Sequence, residues 1–186
     1  MRLRAGMPAP TFRTNDLFGN PVDLASYRGK PLLICFFRNA ACALCNLRVH
    51  TLIERHAEFE CAGLAVVAIF ESAGAAMREH VGKQDAPFPL LPDPEARLYD
   101  LYDVENSAEK VDATMALPGT HAQVGAAAER GFPLTREEGS NFLRMPADFL
   151  IGPDGTILEA HYADYVWDHL PFERVEAFLG AATNGR

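Results

Sequence analysis

No stretch of the sequence approaches the ~20 consecutive apolar residues that a membrane-spanning helix needs, so no membrane partner is expected. Positive charge is also short: 17 lysines and arginines face 25 aspartates and glutamates, for a net charge of −8. Sequence-independent binding to nucleic acid relies on basic side chains that neutralise phosphates, so no nucleic-acid partner is expected. Cysteine is scarce, with four in 186 residues, which is too few for a secreted domain held together by disulfides. The opening "MRLRAGMPAPTF" has basic residues but no apolar stretch behind them. That argues against a secretory signal and makes the cytoplasm the expected location. The chain shows no internal repeat or low-complexity tract, and its length suits one domain over 1–186.

The pattern that is present reads as α/β. Residues 8–30 alternate apolar and polar side chains around the turn signal "FGN", which predicts an N-terminal hairpin. The continuous apolar runs "PLLICFF" (31–37) and "LAVVAIF" (64–70) have the length and character of strands buried on both faces. Between them Cys45, Val49, Leu52, Ile53 and Phe59 recur at helical spacing, predicting one amphipathic helix that ends near Ala62 and Gly63. A second helix is expected in "SAGAAMREHVGKQ", and a short strand, a turn and a helix from about Asp93 in 88–104. Alternating strands and helices of this kind build a parallel sheet core. "ADFLIGPDGTILEAHY" (147–162) reads as a hairpin and "PFERVEAFLGAA" as a C-terminal helix. Residues 105–141 show no clear periodicity, and a loop of that length carries structure of its own or a function.

Chemistry concentrates in "FFRNAACALCNLRVH", where Cys42 and Cys45 sit between a buried strand and a helix. A helix N-terminus offers free N–H donors and about half a positive charge, which favours a thiolate. A redox role for the pair therefore leads. Zinc would need four ligands, and here one CxxC supplies two, with His50 or His56 on the next helix and no second CxxC. Cys35 and Cys61 read as core fillers, with Cys61 also a candidate distant partner of the pair. His161, Tyr162, Tyr165 and Trp167 form an aromatic cluster that reads as either core or contact surface.

The segment "GMPAPTFRTNDLFGNPVDLASYRGKPLLICFF", the helix after it, "FPLLPDPEARLYDLYDV" and "FLIGPDGTI" together resemble the AhpC/TSA peroxiredoxins, in the same order and over nearly the whole chain. The resemblance implies a thioredoxin-like fold of peroxiredoxin type, with a central mixed sheet flanked by helices and an N-terminal hairpin extension. It also implies an antioxidant oxidoreductase with no cofactor. Cys45 falls at the peroxidatic position, Cys42 where the family has threonine, and Arg38 where it has proline. The family's arginine, three residues before Phe149, is replaced by Pro146, so Arg38 and Arg144 become the candidate positive charges, although either reads more readily as a solvated surface residue. Met145-Pro146 resembles instead the cis-proline that faces the CxxC in thioredoxins and TlpA-like reductases. Phe36 stands where thioredoxins bury an aspartate. The match is thus to the peroxiredoxin-like subgroup that carries a CxxC.

The resemblance implies two enzymatic readings. In the first, Cys45 reduces a small peroxide and Cys42 resolves the sulfenic acid into a redox-active disulfide, which a dithiol system of the thioredoxin or glutathione kind reduces. In the second, Cys42 attacks a protein disulfide and Cys45 resolves the mixed intermediate. A non-catalytic thioredoxin-like binding module that uses 105–141 is the third reading, and a homodimer is the oligomer that relatives suggest.

Overall fold

A computed structural model describes residues 2–183. The N-terminal hairpin pairs β1 (Arg13–Asn15) with β2 (Pro21–Asp23), antiparallel, and its turn closes where the Asp16 carboxylate accepts the Phe18 and Asn20 N–H groups. The main sheet has the order β5-β4-β3-β6-β7, built from β3 (Leu32–Phe36), β4 (Ala65–Phe70), β5 (Leu90–Pro92), β6 (Ala147–Ile151) and β7 (Ile157–Tyr162). β3, β4 and β5 run parallel while β6 and β7 are antiparallel additions, so the sheet is mixed as expected.

Both apolar runs are strands because each of their faces meets a core. Leu33, Cys35 and Phe37 pack with Val66, Ala68 and Phe70 on one face, under α1 (Ala43–Glu54) and α7 (Phe172–Thr183). Leu32, Ile34 and Phe36 pack with Val67 and Ile69 on the other, together with the hairpin and α4 (Arg97–Leu101). Leu33, Ile34, Phe36 and Phe37 are fully buried, and burial of each side chain of this size contributes about 1.5–3 kcal/mol.

The single helix expected from 43 to 62 is broken. α1 stops at Glu54 and α2 runs His56–Cys61, with Arg55 as the step between them. Arg55 is held by Glu58 and Glu176 and lies over the rings of Phe59 and Phe172, a tertiary anchor that periodicity does not reveal. Gly63 follows with φ +77, the left-handed C-terminal position that only glycine takes without strain. Beyond β4 come α3 (Gly74–Glu79) and a 3-10 turn over Val81–Gln84. α4 starts at Arg97 and not at Asp93, whose carboxylate instead accepts the Arg97 and Leu98 N–H groups from across the proline turn. Residues 105–141 contain α5 (Ala108–Ala116), capped by the Ser107 hydroxyl, and α6 (Pro118–Glu129), with proline in its first turn. An irregular segment from Gly131 to Pro146 then returns to the sheet.

Candidate active site

β3 is the centre of the sheet, so the loop leaving its C-terminal end at Phe37 lies between the ends of β4 and β6, the usual place for a site in a parallel sheet. The loop is locked by its neighbours. The Tyr99 hydroxyl donates to Phe37 O at 2.6 Å, the Glu71 N–H to Arg38 O, and the Asn46 amide to Ala40 O and Cys42 O. Gln84 in turn donates to the Asn46 side-chain oxygen and fixes its orientation. Cys42 is thereby held in extended backbone as the N-cap of α1, and its Sγ accepts the Cys45 N–H at 3.3 Å. Cys45 lies on the first turn of the same helix. Both are free thiols, Cys42 9% exposed and Cys45 sealed.

The two sulfurs titrate in opposite directions. Cys42 is lowered to about 6, first by the hydrogen bond from the Cys45 side chain, then by the Arg38 charge and the N–H groups of Cys45 and Leu44, all of which outweigh burial. Cys45 is pushed well up, first by burial and then by donating to Cys42 and facing its negative charge. The pair titrates as a unit, with the environment favouring the charge on Cys42 and the proton on Cys45. Cys42 is thus the sulfur whose environment favours the thiolate, whereas an ordinary thiol stays largely protonated at pH ~7.

Arg38 and Arg144 are both buried, at 6% and 4% exposure, so the expectation of solvated surface residues is corrected. Arg38 donates to the carbonyls of Arg144 and Phe142, and its charge favours the thiolate form of both cysteines. Arg144 has other partners, since its guanidinium pairs with Glu71, donates to Val104 O and lies over Tyr99. Pro146 precedes β6 as expected, but its peptide bond is trans, because no cis bond occurs among the described residues. The segment leading into it is extended, with a bridge between Arg144 and Asn106 and the Met145 N–H bonded to Glu105 O, and trans is the form that most X-Pro bonds take.

Several residues at the site have no sequence motif. Ser72 and Glu137 reach the cysteine-bearing loop from the end of β4 and from the 131–146 segment, and both accept the Ala40 N–H, at 2.9 and 3.1 Å. Asp148, opposite Cys35 across β3 and β6, is fully buried and bonds His169 at 3.0 Å and the Leu170 N–H at 2.6 Å. Burial raises Cys35 well above an ordinary thiol, as does its bond to Asp148, which fits the expected filler role; Cys61 is exposed instead. Of the aromatic cluster, Tyr162 packs on Phe149 inside the fold, while His161 bonds Asp168 and Tyr165 stacks near Trp167. Among the described residues no three His, Cys, Asp or Glu side chains gather as a metal site, and His50 pairs with Glu54.

The AhpC/TSA family matches residues 5–160. The chain belongs to the AhpC/TSA family. A protein of Mycobacterium tuberculosis named as a peroxiredoxin is 34% identical over 94 residues, which are 50% of this AhpC/TSA chain and 60% of that protein. The match therefore spans less than two thirds of that relative. A solved peroxidoxin from the same organism superposes with a TM-score of 0.68 at 14% identity, covering 100% of this chain and 99% of the other. A structure from Chlorobium tepidum described as a thiol:disulfide interchange protein gives 0.62 at 19% identity, with 98% of each chain covered. At these identities the likeness speaks to the fold alone, which is the expected thioredoxin-like one with its hairpin extension. Within the AhpC/TSA frame the CxxC spans the first turn of α1, and Cys42 is the sulfur at the helix cap.

Proposed function

We propose that the chain is a thiol-dependent peroxide reductase in which Cys42 is the attacking thiolate and Cys45 the resolving thiol. The observation that carries this reading is geometric: Cys42 caps α1, accepts the Cys45 N–H and keeps some exposure, while Cys45 is sealed behind it, and their thiols shift down and up to match. The order that family position alone implies, Cys45 first, would require the sealed sulfur, whose thiol is raised by burial, to act as nucleophile. With Cys42 first, its sulfur attacks one peroxide oxygen and the O–O bond breaks. The second oxygen leaves as hydroxide or alkoxide, which takes a proton to become water or alcohol, and Cys42 is left as sulfenic acid. Cys45 then attacks that sulfur, its proton and the departing hydroxyl leave as water, and the Cys42–Cys45 disulfide forms. An external dithiol, of the kind thioredoxin or glutathione systems supply in the cytoplasm, restores both thiols.

Disulfide exchange is the second reading. It is favoured by Cys42 being the less buried sulfur and uses the same nucleophile on a sulfur–sulfur bond. Stopped-flow mixing with equimolar hydrogen peroxide tests the main proposal. Two thiols should be lost per peroxide, faster than for free cysteine, with Cys42–Cys45 as the product disulfide. A rate no higher than that of free cysteine would overturn it.

A further inference from the structure

We propose that the cleft between α1, α6 and the connection leading into α7 is a second binding site, which takes a small carboxylic acid between Arg48 and His169. Neither Cys42 nor Cys45 lines the cleft, so the inference stands whichever sulfur attacks. Leu44, Leu47 and Arg48 face it from α1, Gln123 from α6, and Trp167 and His169 from the connection between β7 and α7. Its volume is about 220 Å³. That exceeds the ~150 Å³ of an apolar core cavity that admits benzene, so an acid with one ring or a short chain has room.

Two buried nitrogens set the chemistry of the ligand. His169 is 8% exposed, its Nδ1 faces Asp148 at 3.0 Å, and its Nε2 has no hydrogen-bond partner among the described residues. Asp148 titrates at about 2 and is therefore a carboxylate, so Nδ1 is the donor of that bond and Nε2 keeps its lone pair in the neutral ring. Arg48 donates through Nη2 to Leu170 O at 2.6 Å and lies 3.7 Å from the centre of the Phe172 ring, but its Nε is likewise buried and unpartnered. A buried polar group left unpaired is costly, so a ligand that serves both nitrogens is favoured.

A carboxylic acid serves both. Its carbonyl accepts from Arg48 Nε while its hydroxyl donates to His169 Nε2, and if the proton passes to the ring the same atoms form an ion pair. Asp148 already offsets part of the positive charge, since the charges of His169 and Arg48 both act on it, and this favours a single acid group over a phosphate dianion. The hydrocarbon part of the acid then lies against Leu44, Leu47 and Trp167.

Trp167 is the one tryptophan in the chain, so its emission reports on the cleft directly. Benzoate is the probe, with benzamide as a control of the same size that lacks the acid and inorganic phosphate as a control that lacks the ring. Benzoate should change the emission saturably and bind one site per chain by calorimetry, with benzamide weaker by about tenfold or more, the worth of one charge-assisted hydrogen bond. Arg48→Met keeps an apolar stem over Phe172, and His169→Asn keeps a donor toward Asp148. Each should weaken benzoate about tenfold while the circular dichroism spectrum stays that of the wild type. The comparison of benzoate with benzamide uses the wild type alone, so it decides even if a variant fails to fold. No saturable response to benzoate, equal binding of benzamide, displacement of benzoate by phosphate, or undiminished binding in both folded variants would overturn the site.

Discussion

The Cys42 thiolate is held by the Cys45 side chain first, by the Arg38 charge second and by the N–H groups of the first helical turn third, all against the cost of burial. That ranking orders the effects of substitution. Cys45→Ala should move the midpoint of the iodoacetamide rate–pH profile of Cys42 from about 6 most of the way back to an ordinary thiol. Arg38→Met should move it part of the way, because the shared proton and the helix N–H groups remain. The opposite order would show that charge, not the thiol–thiol bond, sets the nucleophile. The cysteines were legible from the CxxC between strand and helix. Arg38 was legible only as a candidate, since nothing in "FFRNAAC" says that it turns inward to the carbonyls of residues 142 and 144.

At the scale of elements, β6 is tied to the chain entering α7 through Asp148, His169 and the Leu170 N–H. Burial opposes ionisation of Asp148, but the His169 charge and hydrogen bond, with Arg48 nearby, hold its carboxyl at about 2, below 3.8 for the free group. A depressed carboxyl stabilises the fold fully above the unfolded value and loses that contribution as the pH falls through the folded one. The window here is about pH 3.8 down to 2, and the contribution is about 2 kcal/mol. Denaturant unfolding across that window should show the loss in the wild type and a flatter dependence in Asp148→Asn. That variant should also be less stable by about 1–3 kcal/mol at neutral pH, because the buried His169 ring and the Leu170 N–H lose their charged acceptor. An unchanged slope in the variant would remove Asp148 from this role. The strands and both hairpins were legible because alternation and apolar runs are local signals. The break at Arg55 and the role of Asp148 were not, because each is decided by a residue distant in sequence, Glu176 in one case and His169 in the other.

For the whole molecule, the decisive fact is that strand order 5-4-3-6-7 brings chain segments around residues 38–45, 71–72, 99 and 137–146 to one end of the sheet. The resemblance to AhpC/TSA proteins anticipated that frame, and the family match over residues 5–160 bears it out. It did not anticipate the helices of 105–141, because these are the parts in which this sequence has no counterpart among the motifs that carried the resemblance. The frame also leaves open in sequence which sulfur acts, and the proposal that Cys42 does so rests on burial and charge. Trapping of sulfenic acid with dimedone after one equivalent of hydrogen peroxide tests it most directly, on Cys42→Ser and Cys45→Ser proteins side by side. Cys45→Ser should form the adduct at Cys42 faster than free cysteine does, and Cys42→Ser should not. Rapid adduct formation at Cys45 in Cys42→Ser, with a slow Cys45→Ser protein, would contradict the account.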